Sequence, residues 1–248
     1  MTHGSLFSGI GGFDLASKQV GFKNIFHCEI IEYKRKTLIK NFPNTKTYAD
    51  IQNFEGQKYK DKIDILSGGF PCQDVSIAQQ SKKINQRDIS GKRTGLWQEY
   101  ARVIREIEPG IVIFENSPML LIRGFEKVLC DFHKLGYDVE WRCFFASDFG
   151  YPHFRKRLYG VAYSRCKRWK NTIKKGGVLQ KVLPKKTPRQ IPLSIPIKRF
   201  NGNSSYEDVR MDDGFSKELD KNFIHGFGNA VIPEIPYQIF YKLKNLKT

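Results

Sequence analysis

The chain has 248 residues, 40% hydrophobic and 27% charged, enough apolar content for one large α/β domain or a main domain carrying a smaller one. Its 42 Lys and Arg outnumber 25 Asp and Glu, and the resulting formal charge of +17 favours a polyanion, nucleic acid first, over small acidic metabolites. No stretch reaches the roughly 18 apolar residues of a membrane span, and "MTHGSLFSG" has neither a basic region nor a long apolar one, so neither a span nor a secretory signal is expected. The 5 cysteines, Cys28, Cys72, Cys130, Cys143 and Cys166, form no CxxC pair, which argues against a disulfide framework or a zinc knot and fits a reducing cytoplasm.

The first element is "SLFSGIGGFDLA", where Gly9, Gly11 and Gly12 make a turn between a strand and a helix and let a ligand approach the backbone. The pattern resembles the dinucleotide fingerprint GxGxxG without matching it, and a turn that serves only packing explains it equally well. Only Leu6 and Phe7 are clearly apolar in "MTHGSLFS", so the first strand is expected to be weak. The strand "NIFHCEI" ends at Glu29, roughly 20 residues past the turn, where an acid would meet the ribose hydroxyls of a bound nucleoside; a surface Glu is the alternative.

Next, "KIDILSGG" runs into "GGFPCQDVS". Cys28, Cys130 and Cys143 read as packed small hydrophobes, but Cys72 follows a backbone fixed by Pro71 and precedes a mostly basic loop. Packed and reactive thiols both remain open there. The patterns "WQEYARVIREI" and "GFEKVLCDFHKLGY" repeat apolar residues at three and four, the second through Phe125, Val128, Leu129, Phe132 and Leu135 with Gly136 as its stop. Between them "GIVIFENS" carries Glu115 to the end of a buried strand, where a carboxyl in a partly apolar site has a raised pKa and can protonate a base; a satisfied structural Glu fits as well. In "YPHFRKRLYGVAY", Arg155 and Arg157 point the same way on an extended strand and could hold an anion or orient a carboxylate, or could line a solvated edge.

Alternating strands and helices imply a parallel sheet with crossover helices. From Arg165 to Arg199 there are twelve basic residues and no acid, with Pro184, Pro188, Pro192 and Pro196 forbidding a regular helix. A second, irregular domain is therefore expected from about residue 165, a basic linker being the alternative. After residue 223 the chain turns apolar again and ends in a helix-like run, so both chain ends belong to the large domain.

In this order, "SLFSGIGG", "GGFPCQDVS", "FENS", "PHFRKR" and "GNAVIP" resemble the motifs of the DNA cytosine-5 methyltransferase family over nearly the whole chain apart from about residues 165 to 222. The resemblance implies an α/β, Rossmann-like S-adenosylmethionine-dependent methyltransferase domain over 1–164 plus 223–248, with a small, irregular target-recognition domain inserted at 165–222 and double-stranded DNA between them. It implies Cys72 as the nucleophile on a flipped-out cytosine, Glu115 as the group at N3, and Arg155 and Arg157 holding the base and the catalytic groups. Phe7, Ile10, Gly12, Glu29, Asp50, Ile51, Pro71, Leu96, Asn229 and Val231 match the family's S-adenosylmethionine shell, and Asn229 and Val231 rest on the resemblance alone. No metal is implied. A monomer is implied, in the cytoplasm of a bacterium or a virus-infected cell, with a cognate restriction endonuclease acting separately. His153 stands where Gln is commoner, Ser117 where Val is commoner and Ser5 where Asp is frequent. The competing readings are an RNA cytosine-5 methyltransferase, a catalytically silent DNA-binding relative, and a nucleotide-dependent oxidoreductase, which leaves Cys72, Glu115 and the basic insertion unexplained together.

Overall fold

Hydropathy underrates the first strand. In the computed structural model, which describes residues 1–71, 95–151, 154–165, 177–184 and 230–246, β1 (Thr2–Leu6) is almost wholly buried at the middle of the sheet. Its polar side chains find partners there: His3 Nε2 lies 2.8 Å from Ser67 Oγ, His3 Nδ1 lies 3.0 Å from Asn24 Oδ1, and the Ser5 hydroxyl donates to Asp14 Oδ2 at 2.9 Å. At Gly4 a Cβ would sit 2.5 Å from the Phe26 ring, so the neighbouring strand supplies the bulk that this strand lacks. Satisfied buried polar groups and a close approach fix the strand, and the expectation of a weak one is corrected on that ground.

Among the described residues seven strands run in the order β3-β2-β1-β4-β5-β7-β6, with β2 (Lys23–Cys28), β3 (Lys46–Tyr48), β4 (Ile65–Gly68) and β5 (Ile111–Asn116) all parallel to β1. The last two strands depart from the parallel sheet expected: β7 (Lys156–Ser164) is antiparallel to both β5 and the edge strand β6 (Tyr137–Phe145). Gly136 (φ +85°) turns the chain from helix into β6, and the short link from β6 to β7 needs no crossover helix. β5 is buried at all six positions, as a central strand covered on both faces must be.

Helices cover both faces. α3 (Gly95–Ile107) and α4 (Phe125–Lys134) enclose a core that includes Phe26, Trp97, Tyr100, Phe114, Phe132 and Leu158. On the other face α1 (Gly12–Val20) and α5 (Glu234–Asn245) enclose Phe13, Ile65, Ile113, Tyr159, Val161 and Phe240, and Lys244 Nζ donates to Val20 O at 2.8 Å. Each such fully buried side chain contributes about 1.5–3 kcal/mol. α2 (Glu32–Asn41) bridges β2 to β3.

The segment 177–184 returns to this second core. Val178, Leu179 and Val182 are buried in it, Val178 N–H and Leu179 N–H donate to the Glu140 carboxylate at 2.6 and 3.2 Å, and Gln238 exchanges two hydrogen bonds with the backbone of Leu183. Of the cysteines read as packed, Cys28 is buried and Cys143 half-buried, and burial raises the thiol pKa of each, to about 12 for Cys28. Cys130 corrects the expectation: it lies on the solvent side of α4 and is exposed. Among the described residues no helix is long and apolar enough to cross a membrane.

Candidate active site

Strand order reverses between β1 and β4, so the crevice beyond their carboxyl ends is where an open α/β sheet binds its ligand. Phe7 leaves β1 with φ +51°, and Gly9 and Gly11 follow with φ +58° and +94°, a left-handed path that the glycines make tolerable. Ser8 ties the turn to β2, its N–H donating to Cys28 O at 3.0 Å and its hydroxyl accepting from Cys28 N–H at 3.2 Å; the Ser5 and Ser8 hydroxyls are also paired. Glu29 is buried at the end of β2, accepting from Gly9 N–H at 2.8 Å and Ile31 N–H at 2.9 Å.

A Cβ on Gly9 would meet nothing within 4 Å, whereas one on Gly12 would lie 2.5 Å from Val231 O. The turn is thus open on one side and sealed on the other by the C-terminal segment. Gly12→Ala is therefore expected to lower stability by about 1–3 kcal/mol, because the new methyl group meets a backbone carbonyl that cannot swing aside. An unchanged thermal midpoint would contradict that packing.

Asp50 follows β3, and its carboxylate caps a short turn by accepting from Gln52 N–H at 2.9 Å. Ile51 is buried beside it, and its carbonyl accepts from Arg102 Nη2 at 2.7 Å. Pro71, beyond β4, and Leu96, in the first turn of α3, are half-buried, as are Phe7, Ile10 and Val231. The Phe7 ring meets Tyr100 edge-on, with centroids 6.1 Å apart. Open space at Gly9, with acids at the ends of β2 and β3, fits a nucleoside-bearing cofactor such as S-adenosylmethionine. Cys72, His153 and Asn229 lie outside the described residues.

The second half of the crevice is built where β5 meets β7. Glu115 pairs in register with Tyr159, and the alternation of β7 puts Arg155, Arg157 and Tyr159 on its side of the sheet. Arg157 Nε is 3.0 Å from Glu115 Oε1, and the Glu115 side chain is only 11% exposed. Burial pushes the Glu115 carboxyl above its ordinary pKa, outweighing the opposing pull of Arg157 and then Arg155. Burial, and then Arg157, lowers the pKa of Arg155. Phe144, Ala230, Val231, Ile232 and Ile235 also line it; Phe144 was not singled out from the sequence, where an apolar residue in a strand signals packing only.

Glu115 also touches the segment that ends β4. A Cβ on Gly69 would be 3.0 Å from Glu115 Oε2, so glycine there lets the carboxylate lie against the backbone. Asn116, which sequence reasoning passed over, donates from Nδ2 to Phe70 O at 3.1 Å and ties the same two strand ends together. Its one signal in the sequence is a polar residue directly after Glu115 at the end of an apolar run.

Comparison with known proteins agrees with this architecture. The *Entamoeba histolytica* methyltransferase EhMeth shares the fold with a TM-score of 0.65 at 18% identity, over 100% of this chain and 99% of that one. The DNMT2 of *Spodoptera frugiperda* superposes with a TM-score of 0.55 at 21% identity, over 68% of this chain and 51% of its own. In sequence, the Type II methyltransferase M1.ScrFI of *Lactococcus lactis* subsp. cremoris is 36% identical over 165 residues, 64% of this chain and 41% of the relative. The Type II methyltransferase M.Eco47II of *Escherichia coli* is 31% identical over 209 residues, 75% of this chain and 49% of the relative. The chain thus spans about half the length of the curated relatives it matches. The model for "C-5 cytosine-specific DNA methylase" matches residues 1–231, across the glycine turn, the Glu115 strand and the Arg155–Arg157 strand, and the chain belongs to that family.

Proposed function

We propose that this chain is a DNA (cytosine-5-)-methyltransferase, acting on a flipped-out cytosine of double-stranded DNA through a covalent bond between Cys72 and C6. The observation that carries the reading is the buried Glu115, its carboxyl raised above the ordinary pKa by burial, flanked by Arg157 and Arg155 and resting against Gly69 of the segment that leads to Cys72.

S-adenosylmethionine supplies an electrophilic methyl group on its sulfonium. Phe7, Ile10, Gly12, Glu29, Asp50, Ile51, Pro71, Leu96, Asn229 and Val231 would form its shell. The Cys72 thiolate adds to C6 of the cytosine, and the electrons of the C5–C6 double bond move toward C5 as N3 receives a proton or hydrogen bond from Glu115. Arg155 and Arg157 hold the base and keep the Glu115 carboxyl in place. Once C5 carries the methyl group, loss of its proton returns the electron pair to the C5–C6 bond and expels Cys72 as thiolate.

The catalytic domain comprises 1–164 plus 223–248, and the insert at 165–222 reads the DNA, anchored to the catalytic body through the packed segment 177–184. The twelve cations between Arg165 and Arg199 suit a phosphate backbone. The enzyme acts as a monomer in the cytoplasm of a bacterium or an infected cell, in restriction–modification, with a separate cognate endonuclease. Incubation with radiolabelled S-adenosylmethionine and either bacteriophage DNA or transfer RNA tests the substrate. Label is expected in DNA cytosine, and label in the RNA alone would overturn the reading.

A further inference from the structure

The end of the sheet that bears Glu115 also carries an apolar rim that the chemistry above does not use. Phe154 is 85% exposed and Ile122 is 74% exposed, and Leu121 and Phe145 are more lightly exposed. Arg155 O accepts from Ala146 N–H at 2.9 Å, so the pairing of β6 with β7 continues outward past Lys156. Phe154 therefore sits four residues beyond Leu158, about 13 Å past the pairing of Leu158 with Asn116, and projects past the body of the sheet.

Arg155 and Arg157 line the pocket at Glu115, and Phe154, the residue before Arg155, does not. The 3₁₀ turn Pro118–Ile122, which follows β5, buries Leu120 in the same core as Leu158 and leaves Ile122 exposed. The Lys156 ammonium lies 5.0 Å above the Phe145 ring, so a cation already covers part of the rim. Residues 118–123 and 154–158 contain Arg123, Arg155, Lys156 and Arg157 and no acid.

We infer that Phe154 and Ile122 pack against base and sugar faces of the DNA beside the target cytosine, with Arg123 and Lys156 meeting the adjacent phosphates. The inference rests on the reading of the substrate as DNA. Exposed aromatic and aliphatic side chains offer apolar contact to a partner, and cations close to them in the chain favour one that presents both rings and negative charge. Nucleic acid offers both. The contacts would hold the duplex next to the catalytic mouth while the target base is out of the stack.

The test compares a random-sequence duplex with heparin, a polyanion without bases, by fluorescence titration of the full chain. F154A and I122S are each expected to weaken duplex binding roughly ten-fold and to leave heparin binding and thermal stability as in the wild type. In F154W, duplex should quench the added tryptophan emission, after subtraction of wild-type signal, and heparin should not. Wild-type duplex affinity in F154A, an equal loss toward heparin, a lowered thermal midpoint with duplex affinity retained, or an unquenched F154W would overturn the inference. Wild-type protein that transfers no methyl group to DNA would instead remove the reading on which it rests, and that control is scored separately.

Discussion

Replacing Cys72 by serine is expected to reduce methyl transfer to DNA by roughly a thousand-fold or more while leaving duplex binding close to that of the parent protein. A cysteine thiol has an ordinary pKa near 8.5, so some thiolate exists at neutral pH, whereas a serine hydroxyl supplies almost no alkoxide. The substitution changes one atom and removes no positive charge, so phosphate contacts persist. Transfer of tritiated methyl groups reads the first effect and fluorescence anisotropy with labelled duplex reads the second. A Cys72→Ser protein that still methylates would sink the covalent mechanism, and one that loses DNA binding would show a role for Cys72 beyond nucleophilic attack.

Glu115→Gln should separate activity from stability. The amide can still hydrogen-bond at N3 but cannot deliver a proton, and loss of general acid catalysis is expected to lower kcat by roughly a hundred- to ten-thousand-fold. Stability should move the other way. Burial raises the Glu115 carboxyl above its ordinary value even with Arg157 at 3.0 Å, so the folded protein holds this proton more tightly than the unfolded chain does. The stabilisation from that proton is complete below the ordinary carboxylate range and is lost as pH rises through the raised value. Above it, the parent protein carries a buried charge that Gln does not. Thermal melts should therefore show Glu115→Gln more stable than the parent near neutral pH, with the gap closing in acid. A variant less stable at neutral pH would mean that the Arg157 pair outweighs the burial.

Much of the site was legible because its residues stand at the ends of apolar runs. The glycine turn, Glu29, Glu115 and the Arg155–Arg157 pair each follow or begin a strand whose pattern is plain in the sequence, and the structure gathers them along one edge. β1 was harder, since His3 and Ser5 look wrong for a central strand until Ser67, Asn24 and Asp14 are seen to satisfy them. The antiparallel turn of β6 and β7 left no simple mark, because β6 mixes Glu140, Trp141 and Arg142 with apolar residues. Both charges prove to face the segment 177–184, where Glu140 accepts from Val178 and Leu179 and Arg142 donates to Leu179 O and Val182 O. That partner is remote in sequence, as is Phe70 for Asn116, and local pattern carries no information about such pairings.

The contact of Glu115 with Gly69 also explains why two glycines precede Pro71. Gly68 would place a Cβ 2.9 Å from Leu6 O, and Gly69 would place one 3.0 Å from the Glu115 carboxylate. Both positions need the absence of a side chain for close approach, and neither has the left-handed backbone of the first turn. Together they let the β4 end lie between the two halves of the crevice.

The most direct test of the account is the identity and position of the modified base in DNA from bacterial cells expressing the protein. Nucleoside mass spectrometry, combined with sequencing that reports 5-methylcytosine in context, should find 5-methylcytosine at one short recurring sequence and none in cells expressing Cys72→Ser. Methyl groups on adenine or on the exocyclic amine of cytosine, or 5-methylcytosine undiminished in the Cys72→Ser cells, would contradict it.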